Sequence, residues 1–151
     1  MSHEGGESAG AVQPGVMEIA RDCRLAPARM WEMWTTAEGL SRWWWNHWQG
    51  VRFDIDARLG GHYLIEAADK GIRVSGNYLV FDQPRRLAFT WVWSDREGTS
   101  PDEVVHVAFE PLADGTRVLV RHSGPWRDAT PAENYRQGWQ FVLGALAEAA
   151  A

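Results

Sequence analysis

Apolar residues recur along this chain with two periods. From Val16 to Cys23, and again through much of residues 51–122, they alternate with polar ones, the rhythm of strands buried on one face. Val51, Phe53 and Ile55 alternate with Arg52, Asp54 and Asp56. Leu87, Phe89, Trp91 and Trp93 share one parity, as do Val105, Val107 and Phe109. The pattern predicts strands at residues 16–23, 51–55, 62–66, 72–81, 87–93, 105–109 and 118–122. Gly60-Gly61, Gln83-Pro84 and Asp114-Gly115 punctuate them as turns. Residues 94–103 read as a polar loop, and Gly76 inside its strand marks a bulge or bend.

The helical period appears three times. Pro27 stands where a helix begins, at a position needing no N–H, and Met30, Trp31 and Trp34 follow at helical spacing. Thr35 with Glu38 has the form of a capping box. Leu40, Trp43 and Trp44 then predict a second short helix ending near Trp45. Thr130-Pro131-Ala132-Glu133 combines N-cap, first-turn proline and capping-box glutamate. Behind it Tyr135, Trp139, Val142 and Leu146 form one stripe, flanked by Leu143. From Pro131 to Glu148 this helix would run about 27 Å. Gly138, beside the stripe, is expected to let the helix approach a sheet closely, and Phe141 points away from the stripe.

This order predicts an α+β fold: an antiparallel sheet of about six to seven strands curved around a long C-terminal helix, with two short helices after the first strand. Residues 1–14 read as a flexible polar tail and residues 15–151 as a single domain. A twisted sheet curling round one helix leaves a space between them, the default ligand site.

Composition sharpens this picture. Ten tryptophans, six of them between residues 31 and 48, make either a bulky core or an aromatic wall. A net charge of −5 argues against a nucleic-acid binder and against an anionic-membrane binder. No apolar run is long enough to span a bilayer or to serve as a signal peptide. Cys23 is the single cysteine, so there is neither an internal disulfide nor a cysteine metal pair. A cytoplasmic location is expected.

A series of segments resembles a known family: Leu25-Ala26-Pro27 with Trp34-Thr35; Leu40-Ser41-Arg42-Trp43-Trp44; Asp56-Ala57-Arg58-Leu59-Gly60-Gly61; Gly76-Asn77-Tyr78; Pro84-Arg85-Arg86-Leu87 before Phe89-Thr90-Trp91; Asp114-Gly115-Thr116-Arg117; His122-Ser123-Gly124; and Gly138-Trp139 before Leu143. In order, these resemble homologues of the heat-shock chaperone ATPase activator's C-terminal domain. That family lies within the helix-grip superfamily of START, polyketide-cyclase and birch-pollen-allergen-like (SRPBCC) domains. The resemblance implies the helix-grip fold, and a scaffold that elsewhere carries ligand binding, cyclisation or chaperone regulation. The eukaryotic activators carry a further N-terminal domain, for which residues 1–14 leave no room. Trp43-Trp44-Trp45-Asn46-His47-Trp48 is richer in tryptophan than the family pattern, so the cavity mouth is expected to differ.

Candidate catalytic groups read as structural. Asp54 and Asp56 lie on the parity opposite Phe53 and Ile55, so they face water, and Asp56 with Arg58 braces the Gly60-Gly61 turn. His122-Ser123 with Asp128 lacks a nucleophile elbow and reads as a strand end entering a loop. His47, His62, His106 and His122 show no metal-ligand spacing. No phosphate loop or dinucleotide fingerprint is present, and no cofactor is expected.

The reading is therefore a binding domain rather than an enzyme. A small apolar ligand, aromatic or lipid-like, would be walled by Trp34, Trp44, Phe53, Tyr63, Phe89, Trp91, Tyr135 and Trp139, with Arg73 and His106 orienting a polar end. The alternatives are a module that regulates a chaperone through an exposed patch at Trp45, Trp48 and Phe141, and a cyclase or aromatase using polar groups of the cavity.

Overall fold

The computed structural model describes residues 11–13 and 15–151. Among the described residues nine strands form one antiparallel sheet: β1 (Ala11–Gln13), β2 (Val16–Cys23), β3 (Arg52–Ile55), β4 (His62–Ala67), β5 (Ile72–Asp82), β6 (Arg86–Asp95), β7 (Gly98–Thr99), β8 (Glu103–Leu112) and β9 (Gly115–Ser123). The spatial order is β1-β2-β9-β8-β6-β5-β4-β3, with β7 pairing the end of β6. Helices α1 (Pro27–Thr35) and α2 (Ala37–Ser41) follow β2, and α3 (Thr130–Ala149) closes the chain. This is the α+β helix-grip fold expected from the alternation, with α3 packed on β2 and β9. The sheet is larger than expected by two short strands. One is β1, which draws three residues of the expected tail into a ladder with β2; the rest of that tail lies outside the described residues. The other is β7, inside the segment read as a loop. Among the described residues no helix is long and apolar enough to cross a membrane.

The core takes the residues whose parity or stripe demanded burial. Val105, Val107, Phe109, Val118, Val120, Leu143 and Leu146 are each at most 2% exposed. The caps lie one position from where the sequence placed them. Thr36, not Thr35, caps α2 by accepting the backbone N–H of Gly39 at 2.9 Å, while the Thr35 hydroxyl donates back to the Trp31 carbonyl. At α3 the N-cap position is Ala129, which has no side-chain cap, and Asp128 before it accepts the N–H of Thr130 at 2.9 Å. Helix α2 ends at Ser41, short of Trp45, and the chain turns through residues 42–50. Trp45 there takes a φ of 51°, the left-handed region that costs a bulky side chain. That turn delivers Trp43, Trp44 and Trp45 to the interior.

Strand β6 positions the site. It pairs with β8 only from Arg86 to Trp91 but continues along β5 and β7 to Asp95. Its last residues therefore extend past β8, beside the start of α3. At Gly76 a Cβ would run into the Thr90 carbonyl, and the β5–β6 register shifts between Tyr78 and Val80, the irregularity the glycine announced.

Candidate functional site

The interior between sheet and helix is filled with rings. Trp34 of α1 packs on Trp43 at 4.7 Å between centroids and lies parallel to Trp139 of α3 within 16°. Trp44 meets Trp139 edge-on at 5.3 Å. Behind these rings, Tyr63, Tyr78 and Phe89 close on one another. The space left among Trp34, Trp44, Tyr63, Phe89 and Trp91 is about 30 Å³, too small for an organic ligand.

In front of them the structure opens. Trp44 and Trp91 line this inner space and also a second, outer cavity of about 410 Å³, a volume suited to a small molecule. Its other walls are Trp45 from the turn after α2, Trp93 and Asp95 from the end of β6, and Tyr135, Gly138 and Trp139 from α3. Gly138 has a physical role here other than the expected one. A Cβ at that position would meet nothing within 4 Å, so the glycine does not serve close helix–sheet contact; it widens the cavity.

A buried polar chain stands behind this wall. Glu103 and His122 are 2% and 0% exposed. Trp139 Nε1–H donates to His122 Nδ1 at 3.0 Å. Because an indole N–H can only donate, Nδ1 carries the lone pair, and the ring proton sits on Nε2. Nε2–H then donates to Glu103 Oε1 at 2.9 Å, and Trp126 Nε1–H donates to Glu103 Oε2 at 2.9 Å. Burial holds the His122 pKa below its ordinary value, although the hydrogen-bonded Glu103 carboxylate pulls the other way. Burial is the larger effect, and protonating Nδ1 would also break the Trp139 bond. Tyr135 stacks on His122 at 4.1 Å and accepts a long bond, 3.4 Å, from Trp91 Nε1–H. Burial raises the Tyr135 pKa, so its hydroxyl stays protonated. The indole N–H groups of Trp34 and Trp44 are buried and find no acceptor among the described residues.

The expected wall residues separate into groups. Trp44, Trp91, Tyr135 and Trp139 line the outer cavity. Trp34, Tyr63 and Phe89 border only the small inner space. Phe53 is a half-buried edge of the core and lines neither. Arg73 and His106 must be corrected: both are exposed, since on β5 and β8 the neighbouring parities, Val74 and Val105/Val107, take the interior. Among the described residues the buried histidine is His122. It shares the parity of Val118 and Val120, a signal present in the sequence. Glu103 likewise shares the parity of Val105 and Val107, at the end of the segment that reads as a loop. The suggested patch at Trp45, Trp48 and Phe141 is also reduced: Trp45 is 7% exposed and Phe141 57%, the latter lying against His47.

An antiparallel sheet gripping a C-terminal helix, with an aromatic cavity beside the helix, defines the helix-grip class. The chain belongs to the family described as activator of Hsp90 ATPase homolog 1-like protein, whose match covers residues 24–151. Its fold is similar to that of the Mll3558 protein from Rhizobium loti, with a TM-score of 0.78 at 22% identity over 92% of this chain and 99% of that one. CalU16 from Micromonospora echinospora gives 0.72 at 21% identity over 90% of this chain and 76% of the other. An HSP90 activator from Plasmodium falciparum gives 0.66 at 18% identity over 87% and 93%. These likenesses concern the fold. No curated protein matches the chain.

Proposed function

We propose that this protein binds a small, largely apolar ligand in the outer cavity, in a cytoplasmic setting. The observation that carries this reading is the cavity of about 410 Å³ walled by Trp44, Trp45, Trp91, Trp93, Tyr135 and Trp139. Such a wall gives a ligand large apolar contact at low entropic cost. The buried Glu103–His122 pair supports binding over cyclase chemistry. A general base needs a free lone pair within reach of substrate, and the lone pair of His122 is spent on Trp139. The pair instead fixes the ring of a cavity wall.

Intrinsic tryptophan fluorescence, titrated with a panel of apolar aromatics and fatty acids and paired with native mass spectrometry of the purified protein, tests this. A saturable response weakened by Trp139→Ala, in a variant that keeps the far-UV circular dichroism of the parent, is the expected result. No saturable response and no co-purified adduct would refute it.

A second reading, contact with a chaperone, is supported by the family description and by the exposed Phe141 on α3. Recovery of a chaperone by the parent and its loss in Phe141→Ser would support it; no recovery at physiological salt would count against it.

A further inference from the structure

We propose that the ligand carries an alkylated ammonium group, so that the cavity acts as an aromatic cage for a cation. This rests on the binding reading above and narrows its ligand class. Among the described residues that line the cavity, Asp95 is the one charged side chain, and the chain as a whole bears a charge of −5. An anionic headgroup, such as a carboxylate or phosphate, finds repulsion there rather than a partner. The Asp95 carboxylate is held in place by two donors, Trp93 Nε1–H at 3.0 Å and the backbone N–H of Glu97 at 2.8 Å. It thus stands at the edge of a wall ring. The adjacent Arg96 does not neutralise this wall: its guanidinium reaches the Asp69 carbonyl.

The rings complete the argument. Trp44, Trp91 and Trp139 pack on one another at 59°, 81° and 40°, with centroids 5.3 to 6.1 Å apart, and all three border the cavity, so they form one continuous aromatic wall. Trp45 crosses Trp93 at 86°. Aromatic faces attract cations through their quadrupole, tryptophan most strongly. An alkylated ammonium enters such a cage more readily than a bare one, because its methyl groups shed water at little cost. The chain seats one of its own ammonium groups at the border of this cluster: Lys70 Nζ lies 5.4 Å from the centroid of Trp48, and Trp48 packs on Trp45 at 5.3 Å.

The test is a matched pair of probes of one shape, benzyltrimethylammonium and its uncharged carbon isostere neopentylbenzene. Binding would be followed through the indole N–H signals in a ¹H–¹⁵N spectrum of the full chain. The cation is expected to bind about tenfold more tightly than the isostere, with the ratio falling towards one in Asp95→Asn and at high salt. Equal binding of the two probes, or a ratio unchanged in Asp95→Asn, would overturn the cation inference and leave the apolar-ligand reading standing. Binding of neither probe, with no response to the apolar panel, would remove both.

Discussion

Trp139 on α3 donates its indole N–H to Nδ1 of His122 on β9 across 3.0 Å, and this bond fixes both the tautomer of a buried histidine and the position of a cavity wall. The consequence is a pH dependence. The folded pKa of His122 lies below its ordinary 6.5 because burial disfavours the charged ring. Between the two values the unfolded chain holds a proton that the folded chain lacks. Stability is therefore fully present above about pH 7 and falls as pH drops below 6.5 towards the folded value. Denaturant midpoints measured from about pH 8 to pH 5 should decline through this window, with the decline reduced in His122→Gln. A flat profile in the parent would mean that the folded state accepts the proton.

Glu103 anchors the other side of the same ring. Removing its carboxylate strands a buried donor, His122 Nε2–H, and a half-buried one, Trp126 Nε1–H, which it accepts at 2.9 Å each. Glu103→Ala should cost about 3 kcal/mol in chemical denaturation. A loss below about 1 kcal/mol would place these bonds with ordinary exposed polar contacts.

Gly138 separates cavity shape from stability. Nothing lies within 4 Å of a Cβ there, and a mid-helix glycine is about 1 kcal/mol worse than alanine. Gly138→Ala should therefore raise the thermal midpoint. Gly138→Phe should keep the fold and weaken binding of the apolar ligand about tenfold or more by filling the cavity. A destabilised Gly138→Ala would show that α3 needs the glycine for packing.

Cys23 is buried in the core, and burial pushes its thiol pKa up to about 11. A thiol-specific reagent at pH 8 should label it slowly in the native protein and rapidly after denaturation. Fast native labelling would mean that the end of β2 opens readily.

Much of the architecture was legible because burial repeats with the backbone period. Leu87, Phe89 and Trp91 on one side of β6, and Trp139, Val142 and Leu146 on one stripe of α3, went where their spacing required. The site was less legible. His106 and His122 both sit on strands, and it is His122 that continues the buried parity of Val118 and Val120. Glu103 was lost because a polar residue at a strand start resembles a loop residue. The caps slipped because Thr35 and Thr36 offer the same hydroxyl, and only backbone geometry shows which one faces the Gly39 N–H.

The sequence by itself determined the seven longer strands, the order of the three helices and which of their faces are apolar, since these follow from spacing along one segment. Tertiary structure alone decided the rest. It closed the inner space to about 30 Å³ and left about 410 Å³ in front of Trp44 and Trp91. It also set Glu103, His122 and Trp139, from three elements, within hydrogen-bonding reach of one another. Ring orientations, cavity volume and partners distant along the chain depend on strand register and on how α3 settles against the sheet, and those are settled by the packing of the whole core at once.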